Sequence, residues 1–257
     1  MLLEARGLTK SFGGVTGIAD LDFQVPAGLV YAVIGPNGAG KTTLFNLLSG
    51  IYRPDEGRLR FDGQDLGGRP PHQIARLGLS RTFQNLQVFF NMSVLENVMV
   101  GAHGRGRRGL MAALLRTPAL RREERQVRAW AWQALEFCGL AELGERAASA
   151  LPYGALKRLE VARALAAQPR LLLLDEPAAG LNDTETRQMR DLIRRIRDQG
   201  VTVLLVEHHM GLVMQVSDRI LVLDYGSRLA EGSPAQVRAD PQVIAAYLGG
   251  EVHYAVE

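Results

Sequence analysis

The chain alternates short, uniformly apolar runs with longer segments of mixed polarity. Apolar runs occupy residues 29–34, 171–174, 201–206 and 219–223. A strand that is buried on both faces of a parallel sheet has such a run, whereas a half-exposed strand alternates polar and apolar residues. Residues 183–199 show helical periodicity between the second and third runs. This alternation of strand and helix predicts an α/β fold on a mostly parallel sheet.

Two other parts of the chain depart from this pattern. Residues 1–25 and 58–66 contain shorter runs broken by glycine and polar residues, and they predict short strands of an antiparallel β edge. Residues 101–168 are mostly helical in pattern and interrupt the strand–helix alternation, so we expect them to form an α-helical subdomain. The helices expected there cover residues 110–115, 121–138 and 157–167.

Composition narrows the class of protein. The chain has 257 residues, 47% hydrophobic and 22% charged, and this length can bury a core without disulfide or metal staples. The single cysteine, Cys138, excludes a disulfide framework and a multi-cysteine zinc site. Glu4 comes too early for a secretory signal, and no apolar run approaches the about 20 residues of a membrane-spanning helix. We therefore expect an intracellular protein that is not an integral membrane protein.

The net charge of +3 is unevenly distributed. Residues 101–128 hold eight arginines and two glutamates, so the rest of the chain is net negative. No nucleic-acid-binding motif is present, and we expect no nucleic-acid partner. Only Lys10, Lys41 and Lys157 are lysines among the 30 basic residues, which makes each retained lysine informative.

A phosphate-binding loop follows the first apolar run. The segment 35–42 matches G-x-x-x-x-G-K-[ST] in full, between a predicted strand and a helix predicted at 41–48. Glycines let backbone N–H groups approach phosphate oxygens, and the helix directs its positive end at the anion. Lys41 is expected to reach the β- and γ-phosphates, and the Thr42 hydroxyl to bind Mg²⁺. The predicted nucleotide-binding residues here are Gly35, Pro36, Asn37, Gly38, Ala39, Gly40, Lys41, Thr42 and Thr43.

Two carboxylates end the second apolar run. Asp175 and Glu176 are adjacent, and neighbouring strand residues point to opposite sides, so the two acids can have different roles. We expect Asp175 to hold the water shell of Mg²⁺ and Glu176 to polarise an attacking water as general base. An acid at this second position favours nucleotide hydrolysis over simple binding.

Further motifs follow in the order found in the ATP-binding subunits of ABC transporters, and nearly the whole chain resembles such a subunit. Gln84 resembles the glutamine loop, residues 151–165 the signature segment, 179–182 the D-loop, and His208 the switch histidine. The resemblance implies a P-loop NTPase fold of RecA-like type, in which 1–84 and 169–257 form the catalytic core and 85–168 the helical subdomain. It implies ATP and Mg²⁺ as cofactors.

The resemblance also assigns roles to residues. His208 would act with Glu176 in catalysis; the match is to the first histidine of Val-Glu-His-His, with His209 left as the alternative. Phe12 would stack on adenine, and Gln84 would link Mg²⁺ and water to the helical subdomain. The D-loop residues that would contact a second subunit are Gly180, Leu181 and Asn182.

Four segments resemble the branched-chain amino-acid importer ATPases of the LivG type: 81–87, 92–98, 176–182 and 246–249. This family implies a head-to-tail pair with a second ABC ATPase, identical or related, on two permeases at the cytoplasmic face of the inner (plasma) membrane. A periplasmic or extracellular substrate-binding protein would be an indirect partner. The arginine-rich segment 101–128 would face the membrane or permease, or be a solvated helical face. Two alternatives remain: an export ATPase of lipopolysaccharide type, and a non-transport ABC ATPase.

The signature segment departs from the family's usual Leu-Ser-Gly-Gly-Gln. Here Pro152 replaces the serine and Ala155 replaces the glutamine, while Gly154 keeps a backbone N–H at a helix start. Proline offers neither hydroxyl nor N–H, so the partner's ATP loses one donor. We expect a heterodimer with unequal sites; alternatively, Tyr153 or backbone groups compensate and the sites are equal.

Overall fold

A computed structural model describes residues 1–103 and 118–252. Its strands are β1 (Leu3–Phe12), β2 (Val15–Val25), β3 (Val30–Ile34), β4 (Glu56–Phe61), β5 (Gln64–Asp65), β6 (Leu79–Arg81), β7 (Leu171–Asp175), β8 (Thr202–Val206), β9 (Arg219–Asp224) and β10 (Ser227–Gly232). Its helices are α1 (Lys41–Leu48), α2 (Pro71–Arg76), α3 (Val94–His103), α4 (Pro118–Phe137), α5 (Tyr153–Ala166), α6 (Asp183–Asp198), α7 (Met210–Val216), α8 (Pro234–Ala239) and α9 (Pro241–Val252), with 3₁₀ turns at Ala141–Leu143 and Ala148–Ala150.

The central sheet has the order β10-β9-β3-β8-β7-β6. Strands β9, β3, β8, β7 and β6 are parallel, as the apolar runs predict, and all residues of β3, β7 and β8 are buried. Strand β10 pairs antiparallel with β9 at the edge. The carboxyl ends of β3, β7 and β8 lie at one edge of the sheet, where ligands bind in open α/β folds.

The predicted antiparallel β edge is also present. Strands β2, β1, β4 and β5 form a second, four-stranded sheet. Its inner face packs on α1 and on one face of the central sheet through a buried cluster that includes Phe23, Phe61, Phe45, Tyr31 and Val33. This sheet therefore fixes α1, and with it the preceding phosphate loop, against the central sheet.

Helices α3, α4 and α5 lie together on the other side of the central sheet. They share one apolar cluster with it, in which Val98, Leu135 and Leu159 lie among residues such as Leu172 and Ile193. The helices occupy the segment that the sequence assigns to the helical subdomain; the division into two parts remains a prediction. No helix in the described ranges is long and apolar enough to cross a bilayer.

Several boundaries differ from the sequence-based expectations. The helix predicted from Lys157 begins at Tyr153, where Pro152 is the N-cap of α5 with an extended backbone. Strands β6 and β10 were not predicted, since one is three residues long and the other is a half-exposed edge without an apolar run. The helix expected at 110–115 lies outside the described residues.

The first prediction concerns Cys138, which is buried in the apolar cluster that the helices share with the central sheet. Burial raises the pKa of its thiol to about 12, with Arg195 and Arg158 opposing the shift. Because the thiolate is the reactive species, native protein should resist a thiol reagent such as 5,5′-dithiobis(2-nitrobenzoate) at pH 8, and guanidinium-unfolded protein should react fully. Rapid labelling of folded protein would contradict this placement.

Candidate nucleotide-binding and hydrolysis site

The loop between β3 and α1 has a backbone that only glycine can form at two positions. A Cβ on Gly35 would lie 2.2 Å from the Leu223 carbonyl oxygen, and one on Gly40 would lie 2.3 Å from that of Gly17. Gly40 has a φ of 99° and is the N-cap of α1. Gly38, at a φ of 82°, has open space where a Cβ would stand. The loop is therefore closely packed against the protein at Gly35 and Gly40 and open at Gly38. This arrangement suits a bound phosphate chain.

Lys41 lies at the centre of this loop. Its Nζ donates to the carbonyl oxygens of Gly35 at 2.6 Å and Pro36 at 2.8 Å. Burial lowers the pKa of its ammonium, and the charge of Glu176 acts in the opposite direction. A half-buried cation next to the unpaired N–H groups of the first turn of α1 is the donor set that a polyphosphate requires.

Phe12 ends β1 with its ring 42% exposed. The ring meets the edge of Tyr52 at a centroid distance of 5.0 Å. A Cβ on Gly17 would touch both the Phe12 ring and the Thr43 side chain at 3.2 Å, which puts Phe12 close to the start of α1. An exposed aromatic face beside the phosphate loop suits a nucleotide base. Tyr52, which supports the ring, was missed because nothing in the local sequence links it to Phe12.

Asp175 ends β7 with 3% of its surface exposed. Arg81 donates from Nη2 to Asp175 Oδ2 at 2.8 Å, and from Nη1 to Asn46 Oδ1 of α1 and to Ser49 Oγ of its C-cap. A buried carboxylate needs such a partner. The segment 81–87 gives no sign of this role for Arg81, because its partners lie on other elements and only the sheet order β7-β6 brings it to Asp175.

The two predicted catalytic side chains, Glu176 and His208, meet just beyond β7 with Gln84, which was predicted to link Mg²⁺ and water. Gln84 Nε2 donates to Glu176 Oε2 at 3.1 Å, and His208 Nδ1 lies 3.7 Å from the same oxygen. Glu176 has a φ of 49°, and its N–H donates to the Val206 carbonyl oxygen of β8. The expectation that strand alternation alone separates Asp175 from Glu176 is therefore incomplete, because a left-handed residue after the strand sets the direction of Glu176.

The two neighbouring histidines have different surroundings. His209 Nδ1 accepts the N–H of Leu212 at 3.1 Å and caps α7, whereas the His208 ring is 65% exposed and faces Glu176. This favours His208 as the residue near the reaction.

A buried carboxylate missed by the sequence reasoning precedes these histidines. Glu207 is 1% exposed and accepts the N–H groups of Ala178, His208 and His209 at 2.7–3.2 Å. It therefore ties the segment after β7 to the segment after β8.

The signature segment and the D-loop contact each other within the chain. The Tyr153 hydroxyl donates to the Ala179 carbonyl oxygen at 3.3 Å, and its ring lies 3.1 Å from a Cβ placed on Gly180. Gly154 lies against Glu185, which forms a capping box with Asn182 at the start of α6. Pro152 makes no side-chain cap hydrogen bond, and Ala155 is buried. Tyr153 thus uses its hydroxyl internally, which weakens the alternative that it replaces the missing serine.

Family models match two parts of the chain. The model described as "ABC transporter" matches residues 18–179, more than half of the chain. The model described as "Branched-chain amino acid ATP-binding cassette transporter" matches residues 227–253, from β10 to the carboxyl-terminal helix.

Individual proteins match nearly the full length. The high-affinity branched-chain amino acid transport ATP-binding proteins BraF of Pseudomonas aeruginosa and LivG of Escherichia coli K12 are 47% and 46% identical, each over 96% of this chain and 98% of their own. The lipopolysaccharide export system ATP-binding protein LptB of Acidithiobacillus ferridurans is 36% identical over 97% and 98%. The crystal structure of a nucleotide-free ATP-binding cassette from an ABC transporter aligns with a TM-score of 0.84 at 32% identity, covering 96% of this chain and 98% of that one.

The second prediction compares the two histidines. Because His208 faces Glu176, His208→Ala should lower ATP hydrolysis in the assembled ATPase by about 100-fold or more. His209→Ala, the matched control, should lower the free energy of unfolding by about 1 kcal/mol through loss of the α7 cap and leave the rate near that of the wild type. Steady-state phosphate release and thermal unfolding measure both effects. Reversed effects would assign the role to His209.

Proposed function

The chain belongs to the ABC transporter family, whose ATP-binding cassettes hydrolyse ATP to power transport, and we propose that it energises uptake of branched-chain amino acids. In this proposal it is a peripheral subunit at the cytoplasmic face of the membrane. It works with a second ABC ATPase, two membrane permeases and, indirectly, a substrate-binding protein.

The main support for branched-chain amino acids as the transported substrate is the 46–47% identity to branched-chain transport ATPases along 96% of the chain. The carboxyl-terminal model match at 227–253 is a second, separate support. The lipopolysaccharide export alternative rests on a lower identity of 36%. No feature of the described residues specifically supports a non-transport ABC ATPase.

ATP and Mg²⁺ fit the residues present. The loop open at Gly38, the Lys41 ammonium and the amino end of α1 would hold the phosphates, and Phe12 would stack on the base. The Thr42 hydroxyl and Asp175 would hold Mg²⁺, with Gln84 completing its surroundings; the ion would offset charge on the β- and γ-phosphates.

Hydrolysis would then rest on the side chains that meet beyond β7. Glu176 accepts the proton of the attacking water, Gln84 orients that water, and His208 hydrogen-bonds the γ-phosphate oxygens. Lys41 stabilises the negative charge that develops on the leaving β-phosphate oxygen. One chain supplies these groups, while a second ATPase supplies the signature helix that closes the site.

A groove between the core and helices α3 and α5 suits the permease. It has a volume of about 570 Å³, and its lining combines apolar side chains, including the half-exposed Phe83 and Phe89, with polar and charged ones such as Arg81, Glu160 and Arg163. Because the groove lies beside Gln84, a permease segment seated there would sense the state of the site.

The third prediction tests the proposed function. In the organism, Glu176→Gln should abolish uptake of radiolabelled leucine, isoleucine and valine, while the purified ATPase still binds ATP and loses about 10²–10⁴-fold of its hydrolysis rate. Lys41→Ala should also abolish uptake, but through loss of ATP affinity measured with a fluorescent analogue. Unchanged amino-acid uptake together with defective lipopolysaccharide export would instead support the export alternative.

The fourth prediction concerns the signature. Because Pro152 lacks a hydroxyl and Tyr153 uses its own within the chain, the ATP held by the partner lacks one donor. Such a loss can cost about 2.7–4 kcal/mol of transition-state stabilisation. In a heterodimer, disabling Glu176 of this chain should therefore remove more hydrolysis than disabling the equivalent glutamate of the partner. Equal residual rates would exclude unequal sites.

A further inference from the structure

One of the three lysines, Lys157, is buried and lies outside the phosphate loop. Lys157 is 3% exposed, on α5 one turn after Gly154 of the signature segment. The other two are accounted for, because Lys10 pairs with Asp55 and Lys41 serves the phosphate loop. A buried ammonium is costly unless it is paired or hydrogen-bonded, so its contacts matter.

The Lys157 ammonium faces main-chain oxygens and an aromatic ring. Nζ lies 3.4 Å from the Glu176 carbonyl oxygen and 3.5 Å from that of Gln84. The Tyr153 ring centroid is 5.8 Å away. Among the residues that the structure describes, no carboxylate lies within ion-pair distance of Nζ. These long contacts do little to offset the burial of a charge, so stability alone does not explain a lysine here.

The two carbonyl groups belong to residues whose side chains also meet. Gln84 donates to the Glu176 carboxylate at 3.1 Å, and Glu176 has the left-handed φ of 49°, which is unfavourable for a non-glycine residue. A single ammonium therefore lies between the main-chain oxygens of two residues whose side chains meet at the Glu176 carboxylate.

From this juxtaposition we propose that Lys157 is a positioning residue for hydrolysis, which aligns the Glu176 carboxylate through the backbones of Glu176 and Gln84. The inference rests on the proposed function of Glu176 as general base. It also connects the two halves of the assembly, because α5 carries the signature residues that face the partner's ATP while Lys157 on the same helix holds this chain's own glutamate.

Glu160 and Arg163, which follow Lys157 on α5, contact a different residue of the glutamine loop. Glu160 accepts the N–H of Gln87 at 2.7 Å, and Arg163 donates to the Gln87 carbonyl oxygen. They fix the glutamine loop three residues beyond Gln84, whereas Lys157 contacts both Gln84 and Glu176.

The test compares Lys157→Met, Lys157→Arg and a control, Arg194→Met, in the full-length ATPase assembled with its partner. Arg194 is a suitable control because its half-buried guanidinium also donates to a main-chain oxygen, that of Gln215, on a helix outside the proposed site. Thermal unfolding, affinity for a fluorescent ATP analogue with Mg²⁺, and steady-state kcat and KM are measured for each variant.

Lys157→Met should lower kcat about 10- to 100-fold with analogue affinity unchanged, because a misplaced general base slows the reaction without touching the phosphate loop. Its melting temperature should be equal or higher, since methionine fills the volume without a buried charge. Lys157→Arg should recover most of the rate, because its guanidinium can still donate to both oxygens. The control should keep the wild-type kcat.

Three results would overturn the inference: an unchanged kcat in Lys157→Met, a parallel loss of ATP affinity and thermal stability that marks a purely structural residue, or failure of arginine to restore the rate. A wild-type assembly without ATP hydrolysis would instead refute the proposed function, so the two failures are distinguishable.

Discussion

The parallel pairing of β3, β8 and β7 is the constraint on which the site depends. Val33 pairs with Val206, and Asp175 pairs with the same Val206 from the other side, so these three strands end in register. The phosphate loop, Glu176 and His208 each follow one of these ends. Residues more than 130 positions apart along the chain are thereby placed at one edge of one sheet. Both faces of these strands are buried in apolar clusters, so close packing of the side chains on each face holds this register.

Buried polar groups then fix the loops at that edge. Arg81 joins Asp175 to the side chains of Asn46 on α1 and of Ser49, the C-cap of α1, so the carboxylate proposed for Mg²⁺ and the helix after the phosphate loop share one guanidinium. Glu207 joins the loops after β7 and β8 through three backbone N–H groups. With one member removed, the remaining charge would be buried without a partner, which is why such groups hold a geometry firmly.

Helix α5 brings a second set of constraints from the helical side. Its first turn contacts the D-loop through Tyr153. In the next turn, Lys157 contacts the main chains of Gln84 and Glu176. In the turn after that, Glu160 and Arg163 hydrogen-bond the main chain of Gln87. A shift of α5 relative to the sheet would therefore move the glutamine loop and the main chain of Glu176 together. In the proposed transporter, this is a physical route between a permease in the groove and the site of hydrolysis.

Local patterns in the chain correctly predicted the apolar runs that form β3, β7, β8 and β9, the helix after the phosphate loop, and the antiparallel edge. The phosphate loop at 35–43 and the roles of the acids at 175 and 176 could also be predicted from the chain, because contiguous residues form each motif. The folded chain was needed to find the pairings of Arg81 with Asp175, of Phe12 with Tyr52, and of Lys157 with Gln84 and Glu176. It was also needed to distinguish the surroundings of His208 from those of His209. The physical reason is that hydrogen bonds and ring contacts between distant segments depend on strand order and helix packing, which leave no local pattern in the chain.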